Sequence, residues 1–182
     1  MNTTKNYIFT SERLGFRNWI EDDVQKMADI NNNPNVMEFF PSIPTFEETK
    51  AFVERMQQQF SEKDYCYFAV DVLKNDTFIG FIGLSDKDFE SDFTPCTDIG
   101  WRLSEAHWNK GYATEGARAC LDHGFKKLGL AEIVAIAPKA NVKSEEVMKK
   151  IGMEKRKNFN HPLLINDTRL RECVHYAIKN RQ

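Results

Sequence analysis

The chain has 182 residues, with 25 Lys and Arg against 27 Asp and Glu and a formal charge of −2. This length suffices for one full core and no Pro/Gly/Ser-rich linker divides it, so a single domain spanning 1–182 is expected. Interspersed charges exclude the electrostatic footprint of a nucleic-acid binder, and the lack of a signal-type apolar region or a membrane-length apolar run predicts a cytoplasmic chain without a membrane partner. Cys66, Cys96, Cys120 and Cys173 lie far apart, without Cys-x-x-Cys or a completing His spacing. Reduced, mostly buried thiols and no metal site are expected.

Read in chain order, strands and helices interleave without internal repeats. "RLGFRNW" alternates Leu14, Phe16 and polar Arg17 as a half-buried first strand would, and acidic Glu21 to Asp23 open a short helix. Pro34, Pro41 and Pro44 forbid a continuous helix after it. Thr45 with Glu48 three residues on forms a capping-box pattern heading an amphipathic helix to about Phe60. "YCYFAVDV" and "FIGFIGL" are β-rich runs joined by the turn composition "LKNDT"; "TDIGWRL" and the wholly apolar "EIVAIA" add two strands, the second central in a sheet. Between these last two runs a longer helix carries Ala117, Leu121, Gly124, Phe125 and Leu128 at helical spacing. A short helix at 144–151 and a terminal strand, "CVHYAIK", complete the chain.

The junction "HWNKGYATEGA", between a strand and that longer helix, is chemically suggestive. A helix start presents backbone N–H groups without internal partners and the positive end of the dipole, which together attract anions. Gly111 permits close approach, Asn109 and Lys110 offer polar contacts, and Ala113 keeps the turn uncrowded. From the residues alone, Gly111 reads first as a glycine that only shapes a strand-to-helix connection. The Gly-x-Gly-x-x-Gly and Gly-x-x-x-x-Gly-Lys-Ser/Thr patterns are missing, so dinucleotide and P-loop readings lack their glycines.

"WNKGYATE" resembles the pyrophosphate loop of the Gcn5-related N-acetyltransferase (GNAT) superfamily, Gln/Arg-x-x-Gly-x-Gly/Ala; Gly111 and Ala113 match, and Trp108 occupies the Gln/Arg position. That tryptophan is similar to the branch containing ribosomal-protein-alanine N-acetyltransferases (RimJ/RimL-like). "TSERLGFRNWIEDDV", "FIGFIGL", "DIGWRL", "NVKSEEVMKKIGM" and "HPLLINDTRLRECVHYAI" resemble further segments of that branch in order, the last of them a closing hairpin. The resemblance implies an α+β fold whose mixed, mostly antiparallel sheet is flanked by helices and splayed between the strands at 97–103 and 133–137. It also implies acetyl-CoA (coenzyme A) in the splay. Backbone groups of Trp101, Arg102 and Leu103 would meet the pantetheine arm, while Asn109, Lys110, Gly111, Tyr112, Ala113 and Thr114 would hold the pyrophosphate. Asn141 and Ser144 read as helix caps and, by resemblance, as pantetheine contacts near the leaving sulfur. Met148 stands where the superfamily often has a tyrosine acid.

Acetyl transfer requires a neutral amine, and at neutral pH deprotonating an α-amine of pKa ~8 costs about 1.4 kcal/mol against about 4.6 for a lysine amine. Asp98, on the strand beside the cofactor, is the positional candidate for general base, or else an exposed carboxylate. Glu105 reads as a water-linked base or a solvated loop charge. His161, before a proline, reads as a proton-transfer group or as a structural or substrate-orienting histidine. His107, His123 and His175 have no partner pattern and read as structural, and with no Cys–His pair direct transfer is preferred. By analogy Phe39, Phe40 and His161 line the acceptor pocket; Phe39 and Phe40 read equally as core aromatics. The acceptor is an amine on a small molecule or a protein N-terminus, including polyamine, amino-acid and antibiotic classes, and a homodimer is compatible with the resemblance. A second reading is an acyl-CoA-binding sensor or regulatory module without turnover.

Overall fold

The computed structural model describes residues 6–181. Strand β1 (Phe9–Thr10) turns back onto β2 (Leu14–Arg17), and α1 (Asp22–Asn31) follows with Asp22 and Asp23 in its first turn, where negative charge suits the helix dipole. The proline-rich stretch at 32–45 is non-helical. Thr45 then caps α2 (Phe46–Lys63): its hydroxyl accepts from the Glu48 N–H at 3.2 Å, and the Glu48 carboxylate accepts from the Thr45 N–H at 2.7 Å. This reciprocal box satisfies two amides that the first helical turn leaves without partners.

Strands β3 (Tyr67–Val72), β4 (Thr77–Lys87) and β5 (Cys96–Leu103) follow, then α3 (Tyr112–Lys126), β6 (Glu132–Pro138), α4 (Val142–Lys150), β7 (Glu154–Asn160) and β8 (Glu172–Lys179). Among the described residues the eight strands form one sheet in the order β1-β2-β3-β4-β5-β6-β8-β7. Its pairings are antiparallel except for β5 with β6, which run parallel across the α3 crossover. The apolar β6 lies inside the sheet, between β5 and β8, as its composition predicts.

Neighbouring residues of β4 face opposite layers. Ile82 points to α3, where a side chain on Gly116 would meet its Cδ1 at 2.3 Å. Phe81 points to α1 and α2 and joins Trp19, Phe52 and Tyr67 in an aromatic layer. The sheet is thus covered on both faces, and β5 acquires two chemically distinct sides.

Three features depart from the sequence reading. All four residues of β2 are buried, so Arg17 does not point to solvent. It is 4 % exposed and bonded in two forks, to Asp71 at 2.6 and 3.1 Å and to Asp23 at 2.6 and 2.9 Å. Burial alone would lower the Arg17 pKa; the hydrogen bonds that Arg17 donates to Asp23 and Asp71 reverse this and raise it. Charged "EKRKNFN" forms β7, which the sequence pattern does not signal. The closing hairpin therefore pairs β7 with β8, while the segment from His161 forms the connection and includes a short 3₁₀ turn at Pro162–Leu164. Leu128 lies beyond the end of α3 yet packs on the core.

Candidate active site

Strands β5 and β6 register at a single pair, Asp98 opposite Val134, although they contain eight and seven residues. Beyond that pair they part. The resulting cleft has a volume of about 780 Å³ and is lined by Asp98, Trp101, Arg102 and Leu103 from β5, Asn109, Gly111, Tyr112, Ala113 and Thr114 from the α3 junction, Asn141 and Ser144 from the α4 start, and Phe39 and Phe40 from the loop after α1. Lys110 and His161 do not line it.

One end of the cleft suits an anion. Gly111 is the N-cap of α3 at φ 80°, and among the described residues no side chain caps this helix. A Cβ there would strain the backbone and would meet Arg13 Nη2 at 3.4 Å. Arg13 is fixed beside the turn by Glu115 at 2.6 Å, by the Lys110 carbonyl at 3.0 Å and by stacking 4.6 Å from the Tyr112 ring centroid. Uncapped first-turn amides flanked by a guanidinium fit a phosphate group. Sequence reasoning missed Arg13 because 97 positions separate it from Lys110. Trp108 donates its indole N–H to the Leu103 carbonyl at 2.9 Å and lies under Lys143, tying the junction to the end of β5.

Asn141 caps α4, accepting from the Ser144 N–H at 3.1 Å. Ser144 lines the cleft, and the cap uses its N–H rather than its hydroxyl. Met148 is buried at the cleft wall and carries no proton to donate.

The opposite part of the cleft contains a hydrogen-bonded carboxylate–phenol pair, Asp98 and Tyr67. Asp98 is 5 % exposed and accepts from Tyr67 Oη at 2.5 Å; Oδ1 has no hydrogen-bond partner among the described residues. Burial raises its pKa to about 6, opposed by Lys87, by the Tyr67 hydrogen bond and by the Ile136 amide across the gap. Burial, followed by the proximity of Asp98, pushes Tyr67 well above its ordinary value, so Tyr67 stays a donor. Gly100 makes room for this pair, since a Cβ on it would meet the Tyr67 ring at 3.0 Å. Lys87 lies 5.0 Å from the Tyr67 ring centroid. Neither Tyr67 nor Lys87 carries a sequence signal beyond belonging to a strand.

His161 Nδ1 accepts from the Leu163 N–H at 3.2 Å, and its ring lies 4.3 Å from Phe89 and 5.9 Å from Phe159 between centroids. Burial, then Lys87, lowers its pKa. Glu105 bonds Asn33 at 2.7 Å and Asn35 at 2.8 Å, bracing the loop after α1, and those bonds lower its pKa. His123 stacks on Phe9 at 4.4 Å and His175 on Phe93 at 3.9 Å, both in packing roles. Burial raises all four thiols, Cys96 and Cys173 to about 11, and no cysteine lines the cleft.

A splayed mixed sheet with an uncapped helix start beside the splay defines an acyltransferase architecture. The comparisons agree: residues 13–154 match the family model described as an acetyltransferase (GNAT) domain, and the chain belongs to that family of N-acetyltransferases. It is 35 % identical over 151 residues to the uncharacterized N-acetyltransferase YnaD of Bacillus subtilis (strain 168), covering 82 % of this chain and 84 % of the relative. The crystal structure of a GNAT-family acetyltransferase from Bacillus anthracis superposes with a TM-score of 0.79 at 27 % identity, covering 95 % of this chain and 98 % of that one. A ribosomal-protein-S5-alanine acetyltransferase structure from Vibrio fischeri shares the fold, with a TM-score of 0.75 at 20 % identity over 96 % and 97 % of the two chains. Acetyltransferases of this family use acetyl-CoA. No helix among the described residues is long and apolar enough to cross a membrane.

Proposed function

We propose that this chain moves an acetyl group from acetyl-CoA directly to a primary amine, with Asp98 as general base. The observation that carries this reading is the single cleft that joins the uncapped α3 start, the open edge between β5 and β6, and a buried carboxylate with a pKa of about 6. Acetyl-CoA would supply an activated thioester. The amides of Gly111, Tyr112, Ala113 and Thr114, with Asn109 and Arg13 beside them, hold its pyrophosphate; backbone groups of Trp101, Arg102 and Leu103 bind its pantetheine arm as an added strand would.

In the overall exchange an N–C bond forms, a C–S bond breaks, one proton leaves the amine and one reaches the sulfur. Asp98, ionised above about pH 6, takes the amine proton through its unpartnered oxygen while Tyr67 holds the other. Ser144 offers its hydroxyl on the sulfur side, where Met148 cannot donate. The raised thiol pKa values, with no cysteine among the residues of the cleft lining, support direct transfer over an acetyl-cysteine route. Likeness to the ribosomal-protein-alanine branch supports an α-amine acceptor, whose deprotonation Asp98 can assist without a large pKa gap.

A thiol-release assay across an amine panel that includes peptides with free N-termini, run beside calorimetry with acetyl-CoA, tests this reading. Binding together with amine-dependent thiol release is expected. Binding without release to any amine would reduce the protein to a coenzyme A binder.

A further inference from the structure

Arg102 has an unusual environment. With Asp98 and Gly100 it lies on the β5 side facing α1 and α2, and its guanidinium stacks over Phe40 at 4.0 Å and near Phe81 at 5.5 Å. Nη1 donates to Asn31 Oδ1 at 2.9 Å, and Asn31 is itself 2 % exposed and anchored to Thr49 at 3.1 Å. Nε is fully buried without a hydrogen-bond partner, and among the described residues no carboxylate lies within ion-pair distance of this arginine.

Arg17, the fully buried arginine of this layer, has two carboxylates in bidentate forks, whereas the half-buried Arg102 has its Nε shut off from water with no anion beside it among the described residues. A guanidinium removed from water without an anion is costly, so its missing counter-charge needs an explanation. Its charge persists at neutral pH, since burial lowers the pKa only to about 10. Arg102 lines the cleft, and its guanidinium carries donors beyond the one that Asn31 accepts.

We propose that Arg102 recognises the acceptor: its guanidinium, at the cleft wall, binds a carboxylate carried by the amine substrate, several bonds from the nitrogen that is acetylated. This rests on the acetyl-transfer reading above. The separation follows from the strand, because Asp98 and Arg102 are four residues apart on one face, about 13 Å between Cα atoms. An α-amino acid is too short to reach both, whereas a dipeptide, or a protein N-terminus followed closely by an acidic side chain, has the span. A polyamine would place positive charge against Arg102 and Lys87, both in the cleft wall.

Matched acceptors separate the two carboxylate sources: alanyl-alanine against its C-terminal amide, and an alanyl-glutamyl peptide amide against its glutaminyl counterpart. The expected result is at least a roughly tenfold kcat/KM preference for the carboxylate member of one pair, expressed mainly in KM. In Arg102→Gln that ratio should collapse to within about twofold, with partial recovery in Arg102→Lys, which restores charge without the fork. Asn31→Asp, which gives Arg102 an internal anion, should also reduce the ratio and serves if Arg102→Gln does not fold. Calorimetric binding of the N-acetylated peptides, acid against amide, needs no turnover. If those acids bind through Arg102 while no amine releases thiol, the acetyl-transfer reading fails and recognition stands. Thiol release with no carboxylate preference, or a preference that survives in Arg102→Gln, overturns the proposal.

Discussion

Asp98 occupies a position that weakens the fold and that, in the proposed reaction, supplies the base. An aspartate in the unfolded chain titrates near ~3.9, whereas burial raises Asp98 to about 6. Between those values the folded chain retains a proton that the unfolded chain has lost, so stability declines as pH rises through 6. Asp98→Asn should therefore melt higher than wild type at pH 8, by a margin on the order of 3 kcal/mol at most, and alike at pH 4. The same substitution should remove the acidic limb near pH 6 from the kcat/KM profile and lower the plateau by about tenfold or more. His161→Ala should keep that limb, because its Nδ1 is engaged in a turn and its ring packs outside the cleft. A limb lost in His161→Ala and kept in Asp98→Asn would reverse the assignment. The position of Asp98 was legible from the strand pattern beside the resemblance. Its burial and its Tyr67 partner, 31 residues away in sequence, were not.

At the scale of elements, the α3 start is where local chemistry translates most directly into binding. Asn and Asp tolerate the left-handed backbone that Gly111 adopts better than other side chains do, so Gly111→Asn and Gly111→Asp make a strain-matched pair differing in charge. Acetyl-CoA should bind the Asp variant at least about tenfold more weakly than the Asn variant by calorimetry, since one unit of like charge now faces the pyrophosphate. Equal affinities would remove the phosphate from this turn. The junction was readable because a helix start declares itself in a few adjacent residues, as did the Thr45–Glu48 box. Strand β7 was not readable: its residues are largely exposed, so no apolar alternation marks a segment whose order comes from pairing with β8.

Across the whole molecule, the Arg17 cluster joins three separate segments: β2, the start of α1 and β3. Arg17→Met should destabilise by about 3–5 kcal/mol at neutral pH, measured by denaturant unfolding, because two buried carboxylates lose their shared cation. Recovery in a triple variant with Asp23→Asn and Asp71→Asn would show that the uncompensated charge, rather than lost packing, is the cause. By itself the sequence determined the alternation of elements, the helix caps, the glycine junction at the α3 start and, through motifs in a set order, the resemblance to an acetyltransferase family. These are features carried by neighbouring residues, whose local geometry constrains them strongly. Tertiary structure decided where β7 and β8 enter the sheet, which charges are buried, and that Arg13 attends α3 while Arg102 has no carboxylate partner among the described residues. Such outcomes depend on contacts between segments tens of residues apart, where burial and the balance of charge are set by the completed fold.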